Sequence, residues 1–270
     1  MHRHFLRSLA VLTNVFFFWL AAVDAAAGAE TAVDLELVLA VDVSGSMDED
    51  EHTLQRRGYV AAFHHPQVIN AITSGFLGRI AVTYVEWAGP TSQVVTVPWR
   101  IIDGEARARA FADDLAAAPI AFIRGTSISG GLAFSASLFN RNGIEGTRRV
   151  LNVSGDGANN QGIPVEMARD NVLAQQIVIN GLPLLLKPRL SYWIAGVGLD
   201  DYYWDCVIGG PGAFVAPVIE ENQLARAIRR KLVLEIAGVR ARLFHAKAPA
   251  LRAKVDCLIG EKIRRSRDFE

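Results

Sequence analysis

The chain has 270 residues, 51% of them hydrophobic, which is enough apolar material for a sizeable core and too much for a disordered polymer. Its 28 basic and 28 acidic residues cancel, a balance that gives no electrostatic footprint for nucleic acid. Two cysteines allow at most one internal disulfide.

The first residues, "MHRHFLRSLAVLTNVFFFWLAAVDAAAGAE", place Arg3 and Arg7 ahead of an apolar run from Leu9 to Val23, followed by Ala27-Gly28-Ala29. This order of a basic start, an apolar middle and small residues reads as a secretory signal peptide over residues 1–29, cleaved before Glu30. The alternative is an uncleaved anchor; Thr13 and Asn14 interrupt the run, which falls short of the ~20 residues that span a bilayer. With the leader gone, no stable transmembrane segment is expected. Removal takes Arg3, Arg7 and Asp24 away and leaves 26 bases against 27 acids, a net charge of −1. Export, to the periplasm or outside the cell, carries Cys206 and Cys257 into an oxidising compartment, and they are expected to pair. Two isolated buried thiols are the alternative.

In chain order, residues 35–41 are a continuous apolar run broken only by Glu36, as in a strand covered on both faces. Asp48 to His65 reads as a helix with acidic residues in its first turn and Pro66 at its end. Strand-like segments at 79–87 and 94–101, parted by Gly89 and Pro90, suggest a hairpin and hence one antiparallel edge strand. Helices are expected at 104–117 and, rich in small residues, at 127–140. A strand at 148–157, a helix at 164–175 and strands at 177–185 and 212–218 follow. In the helix 222–238, Leu224, Ile228, Leu232 and Ile236 repeat every four residues. The alternation predicts an α/β fold: a doubly wound, mostly parallel sheet with helices on both faces. No linker or repeat divides residues 30–238, which read as one domain. Residues 239–270 form a basic, irregular C-terminal extension, packed on the domain or trailing from it. A glycosylation sequon at Asn152 falls within a buried strand and carries little weight.

In such a sheet the loops at the carboxyl ends of the strands share one edge, so distant segments can converge there. Three of them carry oxygen donors: "DVSGS" after the first strand, "RGTSISGG" before the small-residue helix, and "SGDG" after the strand at 148–157. They supply Asp42, Ser44, Ser46, Thr126 and Asp156. Carboxylates and hydroxyls without histidine or cysteine suit a hard divalent cation, Mg²⁺ or Mn²⁺. Asp48 to Glu51 read as the start of the helix rather than as further ligands. His64 and His65 are adjacent and diverge on a helix, so they do not make a zinc site.

Asp-x-Ser-x-Ser at 42–46, Gly-Thr at 125–126 and Ser-Gly-Asp-Gly at 154–157 together resemble the metal-ion-dependent adhesion site of von Willebrand factor type A domains. The resemblance covers roughly residues 34–238 in motif order and strand pattern. One departure is Ser154, where the family more often has threonine or an acidic residue. "QRRGYVAAF", "INGLPLL" and "YYWDCVIGGPGAFVAPV" are most similar to an uncharacterised exported bacterial branch of that family.

The resemblance implies that Ser44, Ser46 and Thr126 coordinate the cation through their hydroxyls, while Asp42 and Asp156 act through bound water and orient those hydroxyls. It implies a non-enzymatic binding module whose cation is completed by a carboxylate from a protein partner. Two alternatives stay open: a cation that only braces the loops, and a Mg²⁺-dependent phosphohydrolase with Asp42 as nucleophile. Against the enzyme, position 44 is serine rather than a second aspartate, and the chain has neither a P-loop nor Gly-x-Ser-x-Gly. Trp87, Trp99 and Trp193 read as core or rim. Tyr202, Tyr203 and Trp204 read either as a recognition surface or as packing beside a disulfide.

Overall fold

The structure is a computed structural model that describes residues 30–45, 47–120, 123–186, 192–193, 197–238 and 254–267. The leader expected at residues 1–29 lies outside them, as does the Trp193 side chain. Among the described residues no helix is long and apolar enough to cross a membrane.

The strands are β1 (Thr31–Val33), β2 (Leu35–Asp42), β3 (Ile80–Trp87), β4 (Gln93–Ile102), β5 (Ile144–Gly146), β6 (Arg149–Gly155), β7 (Val178–Pro183), β8 (Tyr192–Trp193) and β9 (Val197–Gly198). The central sheet runs β4-β3-β2-β6-β7. Its pairs are parallel except β3 with β4, the antiparallel edge expected from the hairpin. All eight residues of β2 are buried, which explains its unbroken apolar run. The exception, Glu36, is satisfied: its carboxylate accepts from Asn142 Nδ2 at 2.6 Å and from the Gly146 amide at 2.9 Å. That clasp holds β5, which pairs in parallel with β1 beside the main sheet.

Helices cover both faces. On one lie α1 (Glu49–His64), α2 (Pro66–Thr73), α3 (Glu105–Ala117) and α7 (Leu224–Ala237); on the other lie α4 (Ile128–Ser137), α5 (Val165–Leu173) and α6 (Leu199–Tyr202). The acidic start of α1 is a capping box. Asp48 Oδ1 accepts from the Glu51 amide, and Glu51 Oε2 accepts from the Asp48 amide, both at 2.9 Å. The small residues of α4 let it lie directly on the sheet, since a methyl group at Gly131 would sit 2.9 Å from the Trp87 ring. In α7, Leu224, Ile228, Leu232 and Ile236 are all buried, and Gly238 ends the helix in the left-handed region at φ +65°.

Two expectations need correction, at residues 212–218 and in the C-terminal extension, and two elements were not anticipated. Pro66 ends α1, but it also occupies the first turn of α2, where its missing N–H costs nothing, so a second helix follows at once. Residues 212–218 do not form a regular strand. They pair with β7 and its end through isolated bridges at Val215 and Val218, because the rung between them needs an amide from Pro183 of β7 to the Ala216 carbonyl, and Pro183 has none. The C-terminal extension is not irregular throughout: Ile259–Arg267 form α8, and Cys257 just before it is bonded to Cys206. Residues 203–207, which follow α6, form a π-helical turn that no periodicity announced.

Candidate cation site

Asp42 is the last residue of β2, and the chain after it turns sharply. Asp42 Oδ1 accepts from the Ser44 amide at 2.7 Å, an Asx-type turn that lifts the Ser44 hydroxyl toward the sheet edge. Backbone bonds from Val43 to Trp87 O and from Ile123 to Val43 O fasten this loop between β3 and the segment leading to α4. That segment delivers Thr126. Gly125 turns at φ +97°, and the Thr126 carbonyl accepts from the Asn160 amide at 3.0 Å. The Thr126 hydroxyl then lies 3.4 Å from Ser44 Oγ.

Asp156 follows β6, the parallel neighbour of β2, which brings its carboxylate charge close to that of Asp42. Asp42, Ser44, Thr126 and Asp156 thus converge at one edge, all buried. Ser46 lies outside the described residues.

The electrostatics at this edge are those of two neighbouring buried acids. Burial first, and the charge of Asp156 second, hold the Asp42 carboxyl well above the usual carboxylate range. Asp42 Oδ2 is buried and has no hydrogen-bond partner among the described residues. A divalent cation relieves both the repulsion and the desolvation, so the residues fit such an ion. Among the described residues no three His, Cys, Asp or Glu side chains gather; the oxygens that meet here are those of two carboxylates and two hydroxyls, donor types that a hard cation takes.

Beneath these four residues lies a layer that the motif did not reveal. Gln55 of α1 donates to the Asp42 carbonyl at 3.4 Å and accepts from Ser154 Oγ at 2.8 Å. Ser154, the one departure from the family pattern, therefore braces the loop from below. Asn159 is fully buried: its Oδ1 accepts from the Ser129 amide at 2.9 Å, and its Nδ2 donates to Glu261 Oε1 of α8 at 2.7 Å. Its own amide donates to Tyr202 Oη at 3.2 Å. Tyr202 and Tyr203 are wholly buried, so of the two readings for that pair, packing beside the disulfide holds. The Tyr203 hydroxyl faces the site, and burial followed by the charges of Asp42 and Asp156 raises it well above the usual phenol range, so it keeps its proton. Gln55 and Tyr203 both sit inside the stretches "QRRGYVAAF" and "YYWDC", whose regularity was visible without its reason.

A family model described as "Protein of unknown function (DUF1194)" matches residues 32–240. No curated protein matches the sequence. Among solved structures, the chain is similar to the pilus adhesin SpaC from Lactobacillus rhamnosus GG in its open conformation, with a TM-score of 0.55 at 12% identity over 77% of this chain and 31% of that one. It is similar to a von Willebrand factor type A protein from Catenulispora acidiphila, with a TM-score of 0.51 at 15% identity over 76% and 43% of the two chains. A conserved hypothetical protein, BatB from Bacteroides thetaiotaomicron, gives 0.50 at 17% identity over 76% and 100%. At these identities the likeness is one of fold. The chain spans less than half the length of the first two.

Proposed function

Because the chain belongs to the DUF1194 family, whose function is unknown, and has the von Willebrand factor type A fold, we propose that it is an exported, divalent-cation-dependent protein-binding module. The observation that carries this reading is the meeting of Ser44 Oγ and Thr126 Oγ1 at 3.4 Å beside the unpartnered Asp42 Oδ2 and the carboxylate of Asp156. Ser44 and Thr126, with Ser46, hold Mg²⁺ or Mn²⁺ through neutral hydroxyls. Asp42 and Asp156 orient those hydroxyls and the waters between. When bound, the cation supplies an electrophilic centre open to a carboxylate on a partner. Neutral ligands suit this role because they leave most of the ion's charge uncompensated.

Catalysis is disfavoured by the burial of Asp42. The residue has no exposed surface, so it does not present its carboxylate to a phosphoester from solution. The proposed extent of the module is residues 30–238, after a cleaved leader, with 239–270 as an appended strap.

The test is capture of envelope protein from the source cell by the immobilised mature chain in Mg²⁺. Retention should disappear with chelator and in the Ser44→Ala/Ser46→Ala variant. Capture that survives both would refute cation bridging.

A further inference from the structure

The buried face of the site contains a hydroxyl that the family motif does not include. Tyr203 opens the π-helical turn Tyr203–Val207, and the same turn carries Cys206, whose disulfide to Cys257 pins it to the C-terminal strap. Extra-wide turns of this kind insert one residue into a helix and re-aim a side chain, and they recur at functional sites. Here the re-aimed ring passes under β7 and β6. A methyl group at Gly181 of β7 would meet Tyr203 Cδ1 at 2.7 Å, so glycine there makes room for the ring. At its far end, the space beside Gly155 of β6 is shared. A methyl group at Gly155 would lie 2.9 Å from Tyr203 Oη and 2.8 Å from Asp42 Oδ2.

Both oxygens are buried and lack a hydrogen-bond partner among the described residues. Asp42 Oδ1 has the Ser44 amide, but Oδ2 has no donor among the described residues, and Tyr203 Oη has no partner there either. A buried acceptor and a buried donor, each costing free energy while unmade, converge on one glycine. We propose that Tyr203 is a positioning residue of the cation site: its hydroxyl and Asp42 Oδ2 flank Gly155 without bonding in this structure, and with the cation bound the hydroxyl donates to Oδ2 and fixes the plane of that carboxylate. With both oxygens held, one by Ser44 and one by Tyr203, the Asp42 carboxylate cannot rotate away from the hydroxyls it orients. Cation affinity therefore depends on a side chain 161 positions away in sequence. The inference rests on the cation reading given above.

The experiment compares the full mature chain with Tyr203→Phe, which keeps the ring that packs against Gly181. Mn²⁺ affinity is read by calorimetry, and the tyrosine ultraviolet difference spectrum is read during the same titration. The expected result is an affinity about 10-fold weaker in Tyr203→Phe, the loss usual when an outer-shell hydrogen bond to a metal ligand is removed. The melting temperature should be nearly unchanged, and the cation-induced phenol difference band of the parent protein should be absent. Equal affinity in both proteins, or a parent protein that binds Mn²⁺ with no phenol band, would overturn the role of Tyr203 while leaving the cation site standing. A parent protein that binds no Mn²⁺ would overturn both.

Discussion

Thr126 Oγ1 and Ser44 Oγ lie 3.4 Å apart although 82 positions separate them in sequence. Neither residue reaches the other by local structure. Their approach is imposed by β2 and by the loop that crosses back over its end to start α4, fastened by the Ile123 amide on Val43 O and the Ser127 amide on Ala88 O. Whatever loosens that crossing should weaken the site.

Arg56 is the residue that holds the crossing from the other side. It is buried, pairs with Glu86, and donates to the carbonyls of Leu115 and Ala118 at 2.9 Å, where α3 ends and the segment toward Thr126 begins. Arg56→Met takes the guanidinium away from the buried Glu86 carboxylate. The expected cost is about 3–5 kcal/mol in urea unfolding, with Mn²⁺ affinity reduced as well. Arg56→Lys should restore only part of either, because one ammonium cannot serve Glu86 and two carbonyls together.

Lys231 provides the contrast. It forms a buried ion pair with Glu235 one turn along α7, and Glu235 also accepts from Asn152 and Asn180 of the sheet. Burial lowers the Lys231 ammonium while Glu235 opposes the shift. A lysine depressed in the folded state binds its proton less tightly there than when unfolded, so its cost to stability is present at neutral pH and is relieved as pH rises toward the unfolded value near ~10.4. Stability of the parent protein relative to Lys231→Met should therefore climb between neutral pH and about 10. Mn²⁺ affinity of the folded variant should stay unchanged.

Gly155 tests the shared space under the site. In Gly155→Ala the new methyl meets Asp42 Oδ2 and Tyr203 Oη at less than 3 Å. Both oxygens belong to side chains locked in the core, so one of them must shift. Overpacking of this kind costs about 1–3 kcal/mol, and thermal unfolding should show it together with weaker cation binding.

The disulfide closes a segment of 51 positions, worth about 4 kcal/mol on the loop-entropy account. Cys206→Ser/Cys257→Ser should lower stability by roughly that amount. Thiol titration of the denatured, unreduced parent should find none free.

The fold was legible because its strands announce themselves twice, by buried apolar runs and by glycine and polar residues at their carboxyl ends. Asp42, Thr126 and Asp156 could be brought together on paper since each follows a strand or precedes a helix at one edge of a parallel sheet. Tyr203 could not, because its direction depends on a π-helical turn, and nothing in "YYWDC" separates that turn from an ordinary helix. The strand expected at 212–218 does not form although its apolar residues fit a ladder, because its partner β7 offers Pro183, without an amide, where the middle rung should be. Helix α8 was missed because its charges describe a solvated tail. What anchors it is Cys257, whose pairing was expected, together with the Glu261 bond to Asn159, a contact that only the folded chain displays.

The central claim is that Ser44 and Thr126 hold a divalent cation. Calorimetric titration of the full mature chain with Mn²⁺, beside Ser44→Ala/Thr126→Ala, tests it most directly. The account predicts one saturable site in the parent, displaced by Mg²⁺ and lost in the variant while its circular dichroism is unchanged. Binding of equal affinity in the two proteins would contradict it.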